Sequence, residues 1–306
     1  RSLIFRHRHT PGYDWGGGVV NASYPSKGHL LFTGSYDGTA CLWDRRTGRE
    51  LVRFPQVSHH ETSTRISEDG LRAVTESSAL TEPIKIWDLS TKPKADGEDQ
   101  ILPKERWIPD SKNSWQARLS PDPAGERLLA ISKREAKSDS KDHLVRIWNS
   151  ANGELSRTFP HPDKVIVAKF IPPAGDYIAT ACQGGKLRLW DTRQEKSEAI
   201  ELGKIDSKYL RMTISSGGDY LATSASGQTL RIWDISHPTN PNRKRGLYEM
   251  QIPERIFGLA LSQVPGKPML LAAGTQTGTV RIWNVDDLES WKRVGRPITH
   301  ASSVNS

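Results

Sequence analysis

Blocks of alternating aliphatic and polar residues that end in Trp-Asp or Trp-Asn recur along this 306-residue chain. In one block, Leu187 and Leu189 flank Arg188, and Trp190 and Asp191 follow. Successive side chains of a β-strand point to opposite faces, so each block predicts a short strand with both faces buried. The block tryptophans, about 42 to 61 residues apart, are Trp43, Trp87, Trp148, Trp190, Trp233 and Trp283. Their position in the alternation predicts that all six are core residues.

Each Trp block is part of a longer repeat. A strand-like segment ends at a Pro or Gly turn, a second apolar run such as 177–181 follows, and a Gly-rich turn such as 183–185 leads into the Trp strand. A polar loop and a weaker fourth strand, such as 154–159, complete the unit. Four short antiparallel strands in about 43 residues are typical of a propeller blade. The predicted fold class is therefore all-β, a β-propeller of four-stranded antiparallel blades.

The repeat predicts one propeller domain over 1–306. Six complete blades are expected at approximately 18–56, 57–107, 114–160, 164–203, 208–252 and 255–300. Residues 1–9 resemble an outer strand of a further blade, and 301–306 resemble the start of another blade. We therefore expect pieces of a seventh blade and a chain that is part of a larger protein.

These repeats resemble the WD-repeat family over almost the whole chain. The resemblance implies a ring of blades that presents its loops to partners, and a His–Ser/Thr–Asp–Trp hydrogen-bond network within each blade. By position, Asp37 would act with Ser35 and Trp43, and Asp142 with Trp148. The candidate histidines are His9 for the first blade, His59 or His60 for the second and His161 for the fourth. Only the first blade has a complete set, so we expect blades of uneven rigidity.

Composition excludes several classes of function. The formal net charge is +8 and the pI about 9.4, but the basic residues are spread along the chain. The sequence shows neither an apolar run long enough to cross a membrane nor a signal peptide. Cys41 and Cys182 are too far apart for a zinc motif and suit a reducing, cytoplasmic (intracellular) compartment. No nucleophile elbow, phosphate loop or zinc-protease motif is present, so we expect no catalytic residue, metal or cofactor.

Two features indicate a binding surface. The second residue before the Trp is basic in five blades, at Lys85, Arg146, Arg188, Arg231 and Arg281. By resemblance these residues lie towards the top face, where they would form a basic ring; alternatively, their stems cover the neighbouring blade. Tyr13 and Trp15 form an aromatic pair in a Gly/Pro-rich connection. This pair is either a binding hot spot or a plug that packs on the rim of the propeller. The predicted partner-binding residues are Tyr13, Trp15, Tyr36, His59, His60, Lys133, Arg134, Arg146, Arg188, Arg231 and Arg281.

The sequence therefore predicts a non-catalytic scaffold or recognition module that binds another protein or peptide on its loop face. An acidic or phosphorylated peptide suits the basic and aromatic candidates. One alternative is a basic propeller that binds nucleic acid. Another is the sensor domain of a larger signalling kinase or ATPase. No association with a membrane is expected.

Overall fold

The computed structural model describes residues 18–25, 28–54, 61–77, 83–89, 91–93, 99–101, 103–108, 114–119, 125–132, 143–206, 210–225, 228–238 and 247–300. Every regular element in these ranges is a β-strand. The chain divides into two compact units, Arg1–Pro162 and Asp163–Ser306. The segments expected to belong to a seventh blade, 1–9 and 301–306, lie outside the described residues.

The first unit contains three four-stranded antiparallel sheets, here called sheets I to III. Sheet I comprises β1 (Val19–Ser23), β2 (Leu30–Ser35), β3 (Ala40–Asp44) and β4 (Glu50–Phe54). Sheet II comprises β5 (Thr62–Ile66), β6 (Arg72–Ser77), β7 (Lys85–Asp88) and β10 (Lys104–Trp107), and a separate ribbon of β8 (Thr91–Pro93) and β9 (Asp99–Ile101) precedes its last strand. Sheet III comprises β11 (Ser114–Leu119), β12 (Arg127–Ser132), β13 (His143–Asn149) and β14 (Leu155–His161).

The second unit contains sheets IV to VI. Sheet IV comprises β15 (Val165–Phe170), β16 (Tyr177–Cys182), β17 (Lys186–Asp191) and β18 (Ile200–Lys204). Sheet V comprises β19 (Arg211–Ile214), β20 (Tyr220–Ala225), β21 (Thr229–Asp234) and β22 (Leu247–Gln251). Sheet VI comprises β23 (Ile256–Ser262), β24 (Leu270–Thr275), β25 (Thr279–Asn284), β26 (Lys292–Arg293) and β27 (Ile298–Thr299), and β25 pairs with both β26 and β27.

Within each sheet the strands follow one another in chain order, and we call them a, b, c and d. This meander is the blade of a β-propeller, which confirms the predicted all-β fold class. Each sheet has two edges at its strand ends. The b–c edge holds the b–c turn, the start of strand a and the end of strand d. The a–b edge, at the opposite end, holds the a–b turn and the c–d loop.

The hydrophobic core of each unit lies between consecutive sheets. In the first unit, Phe54 of sheet I contacts Trp87 of sheet II edge-on at 4.7 Å between ring centroids, and Phe32 packs on Phe54 at 5.2 Å. In the second unit, Trp233 of sheet V lies against Gly203 of sheet IV, where an added Cβ would be 3.1 Å from the indole ring. All six block tryptophans are at most 6% exposed. Trp87 and Trp233 therefore each lie on strand c of their own sheet and pack against the preceding sheet.

Candidate functional site

A hydrogen bond between strands b and c fixes the orientation of the block tryptophans. Trp43 Nε1 donates to the Thr33 hydroxyl at 2.8 Å, two residues before the expected Ser35. Ser35 Oγ instead accepts from the Asp37 amide at 3.3 Å, and Asp37 Oδ1 accepts from the hydroxyl of Thr39 at 2.6 Å. Asp37 is thus part of the b–c turn, and the tryptophan has a different partner.

The same Trp–Thr bond recurs in four of the six sheets. The pairs are Trp43–Thr33 at 2.8 Å, Trp87–Thr75 at 3.0 Å, Trp190–Thr180 at 2.9 Å and Trp233–Thr223 at 3.1 Å. The threonine always lies two residues after the strand-b residue that faces the tryptophan, such as Ile178 for Trp190. Ala130 and Ala273 occupy this position in sheets III and VI. A threonine inside the second apolar run was the sequence signal that could have identified the partner.

The Asp or Asn after five of the six block tryptophans closes the c–d turn. Its Oδ1 accepts a hydrogen bond from the amide two residues later, which is an Asx turn. These bonds join Asp44 to Arg46 (2.8 Å), Asn149 to Ala151 (2.7 Å), Asp191 to Arg193 (2.9 Å), Asp234 to Ser236 (3.1 Å) and Asn284 to Asp286 (2.9 Å). Both residue types provide the required oxygen, which explains why Trp-Asp and Trp-Asn blocks form equivalent turns. Hydrogen bonds from the Arg193 guanidinium also lower the pKa of Asp191.

Three of the five basic residues two positions before the tryptophans form ion pairs with glutamates. Lys85 Nζ is 3.3 Å from Glu105, and Arg231 Nε is 2.9 Å from Glu249. Arg281 pairs with Glu254. These carboxylates offset part of the positive charge predicted for the basic ring.

Arg188 and Arg146 differ from the other members of this set. Arg188 is only 6% exposed, and its Nη1 lies 3.6 Å from Cys182 Sγ. Burial is what the alternative interpretation expects, in which an arginine stem covers a neighbouring blade. Arg146 is half-buried. Among these five basic residues, Arg231 lines an open space in the second unit.

That space is a groove of about 500 Å³ at the b–c edge of the second unit. Its lining comprises Gln183, Gly184, Gly185, Lys204, Ile205, Asp206 and Arg231. Gly185 has a φ of +83°, and a Cβ there would overlap the Ile205 carbonyl. A Cβ on Gly184 would overlap the Asp163 carboxylate. Position 185 in the sheet IV turn is therefore restricted to glycine, and the turn leaves the groove open beside Lys204 and Arg231.

Other predicted surface residues fall into two groups. Tyr36 lies in the sheet I b–c turn and is 48% exposed, as a contact residue requires. Tyr13, Trp15, His59, His60, Lys133, Arg134 and the structural candidate Asp142 lie outside the described residues, so their roles stay predictions. His161 is buried, and its Nδ1 is 2.9 Å from the Phe159 carbonyl oxygen.

The described residues contain no group of three or more His, Cys, Asp or Glu side chains placed to hold a metal ion. They also contain no helix of the length and apolar character needed to cross a membrane.

The repeats match the family model described as WD domain, G-beta repeat, at residues 8–44, 153–191 and 207–234. This match confirms that the repeats in these segments are similar to WD repeats, and the six antiparallel sheets have the fold of β-propeller blades.

Several curated proteins are similar to the chain. It is 26% identical to the Protein SEC13 homolog of Drosophila melanogaster over 58% of this chain and 52% of that protein, so the match spans about half of that relative. It is 26% identical to the Protein LST8 homolog of Drosophila melanogaster over 87% of this chain and 78% of that protein. It is 24% identical to the human kinesin-like protein KIF21B over 90% of this chain but 17% of that protein.

The fold is also similar to a solved structure. The crystal structure of the computationally designed Ika8 protein matches with a TM-score of 0.61 and 16% sequence identity, over 94% of this chain and 76% of that chain. At this identity the likeness concerns the fold alone.

Proposed function

We propose that the chain is a non-catalytic protein-interaction module, one domain of a larger protein, which binds an acidic or phosphorylated peptide at the b–c edges of its sheets. WD-repeat relatives support the general scaffold role. The match that covers 90% of this chain but only 17% of the kinesin-like protein supports a place within a longer polypeptide.

The observation that carries the proposal is the position of Arg231 in the groove. A guanidinium has five N–H donors. Arg231 Nε donates to Glu249 at 2.9 Å and Nη1 to the Lys204 carbonyl at 3.5 Å, which orients the guanidinium beside the open space. Donors remain for a carboxylate or phosphate from a partner, and arginine binds both groups in a bidentate manner.

The nearby Lys204 strengthens this assignment. Its backbone carbonyl accepts from Arg231, and its side chain lines the same groove. Asp206 also lines the groove and offsets part of the charge, which favours a partner with more than one acidic group over a single carboxylate. Tyr36 in the first unit supplies an exposed aromatic side chain at a b–c edge of its own unit.

A display library of acidic and phosphorylated peptides tests the proposal, because such a library samples many sequences and the partner need not be identified first. The wild-type chain is compared with Arg231→Gln and Lys204→Gln. Arg293→Gln is the matched control, since Arg293 is an exposed arginine at the a–b edge of the same unit. We expect peptides bound by the wild type to lose roughly five- to hundredfold in affinity with Arg231→Gln, and the control to retain them.

Affinity should also fall as the salt concentration rises, because exposed charges are screened beyond about 8–10 Å. Selected peptides without acidic residues, or acidic peptides that bind Arg231→Gln and the wild type equally, would overturn the proposed site.

A further inference from the structure

A second, smaller pocket lies at the a–b edge of the first unit, where sheets II and III meet. Its volume is about 110 Å³. The lining residues are Arg72, Ile86, Asp88, Lys104, Arg106, Ser150 and Ala151. Three of these side chains are cationic and one is a carboxylate, which leaves an excess of two positive charges. This pocket is separate from the b–c edges of the proposed function.

Strand register explains why the charged side chains meet. Arg72 faces Asp88, and Asp88 faces Lys104, so these three residues form one row across strands b, c and d of sheet II. Arg106 faces Ile86, two positions along, and residues two apart in a strand share a face. Ile86 packs with Leu128 and Trp148, so this face is directed at sheet III.

A buried hydroxyl holds one of the cations in place. Ser150 is 2% exposed, and its hydroxyl donates to the Gly125 carbonyl at 2.6 Å. The same oxygen accepts from Arg72 Nη1 at 3.1 Å, which joins sheet II to sheet III at the pocket. Since Ser150 is fixed by Gly125, the Arg72 guanidinium is oriented before any ligand arrives. Preorganisation of this kind lowers the entropic cost of binding.

Lys104 and Arg106 supply the charge that the protein does not neutralise. Within the described ranges, neither side chain has a carboxylate oxygen within 4.0 Å. Lys104 is exposed and Arg106 half-buried, so an ion from solvent can reach both. Like charges held near one another at a partly enclosed site repel, and an anion between them relieves that repulsion.

We propose that this pocket binds a phosphate group. A volume of 110 Å³ is room for about four molecules of water at about 30 Å³ each, which suits a tetrahedral oxyanion. A phosphate monoester carries about −1.5 to −2 charge at neutral pH, and this matches the local excess of two positive charges. The group is either free inorganic phosphate or the phosphorylated side chain of a partner protein.

Titration with inorganic phosphate, followed by backbone amide NMR shifts at constant ionic strength with chloride, tests the site. We expect saturable shifts at Lys104, Arg106 and Ser150. Lys104→Gln and Arg106→Gln should each weaken binding about tenfold. Asp88→Asn should tighten binding several-fold, because it removes the only carboxylate among the described residues of the lining.

The matched control is Lys186→Gln, which removes an exposed lysine at the b–c edge of the second unit. Phosphate binding should be unchanged in this variant. A thermal midpoint measured without phosphate verifies that each variant is folded. A phosphoserine peptide that binds more than about tenfold tighter than inorganic phosphate identifies a partner's side chain as the ligand, and equal affinities identify the free ion. Absence of saturable binding to the wild type, or an equal loss with Lys186→Gln, overturns the proposal.

Discussion

The indole nitrogen of Trp190 donates a hydrogen bond to the hydroxyl of Thr180 across 2.9 Å. Both side chains are buried, and they lie on adjacent strands of one sheet. The bond satisfies the only polar group of a side chain that otherwise fills the space between sheets. It therefore allows a large aromatic side chain to occupy the core without an unpaired donor.

Removal of this hydroxyl should destabilise the second unit. Thr180→Val keeps the shape of the side chain but leaves the Trp190 N–H without its acceptor, at a cost of about 1–3 kcal/mol. Urea denaturation followed by tryptophan fluorescence measures the change. Thr213→Val is the control, since Thr213 is a half-buried strand residue whose hydroxyl makes no hydrogen bond within the described residues. Equal effects of the two substitutions would contradict the assigned role.

Substitution by alanine should reduce stability to very different extents at two glycines with similar backbone angles. Gly218 has a φ of +81°, and a Cβ there would overlap the backbone carbonyl of Pro172. Gly266 has a φ of +72° and no atom within 4 Å of the Cβ position. Gly266→Ala should cost about 1–2 kcal/mol from backbone strain alone. Gly218→Ala adds a steric clash and should cost about 2–5 kcal/mol.

Denaturation midpoints of the two glycine variants measure this difference directly. The contrast depends on the neighbouring sheet, because Pro172 lies in the a–b turn of sheet IV and Gly218 in the a–b turn of sheet V. Equal stability of the two variants would show that Gly218 does not lie as close to the Pro172 carbonyl as described.

The two cysteines should make stability depend on alkaline pH. Burial raises the pKa of Cys41 and of Cys182 from 9.0 to about 12. Below about pH 9 both thiols are protonated in the folded and the unfolded chain, so their contribution to stability is fully present. Between about pH 9 and 12 the unfolded chain ionises and the folded one does not, so each thiol lowers the unfolding free energy by about 1.4 kcal/mol per pH unit.

Chemical denaturation across this pH range, in the wild type and a Cys41→Ala/Cys182→Ala variant, isolates the effect from lysine and tyrosine titration. We expect the variant to show the shallower decline. Parallel pH profiles would mean that the thiols are not buried as described.

Asn21 connects strand a of sheet I to strand a of sheet II. Its Nδ2 donates to the Thr64 carbonyl at 2.8 Å, and its Oδ1 accepts from the Thr64 amide at 2.9 Å. Asn21→Asp replaces the donor with an oxygen that faces a carbonyl oxygen, so we expect a loss of about 1–3 kcal/mol. Asn284→Asp is the control, because its Oδ1 only accepts a turn amide, as Asp234 does in the same role. Thermal unfolding of the two variants compares them, and similar melting temperatures would refute the connection.

The periodicity of the sequence was sufficient to predict the strands. It was insufficient to predict the hydrogen-bond partners of the side chains on them. The alternation around Trp190 identified strand c because both of its faces are buried. The choice between Thr33 and Ser35 as the acceptor for Trp43 depends on the register between strands b and c, and two hydroxyl residues on one face satisfy the same pattern.

The charged residues show the same limit. The recurrence of basic residues before the tryptophan was visible in the sequence, but the glutamates that form ion pairs with them were not. Glu249 lies on strand d, and Glu254 precedes the next sheet, at distances along the chain that vary between repeats. The groove beside Arg231 was equally hidden, since it lies where Gly185 meets the Ile205 carbonyl, 20 positions later in the chain.

The Trp–Thr bonds, present in four sheets and replaced by Ala130 and Ala273 in the other two, also bear on how such a chain can change over time. Because each of these four sheets holds its own copy, a mutation that removes one bond costs about the free energy of a single buried hydrogen bond and leaves the remaining copies intact. Losses can therefore accumulate one repeat at a time while the fold persists. Redundancy of this kind gives the loops freedom to diversify towards new partners.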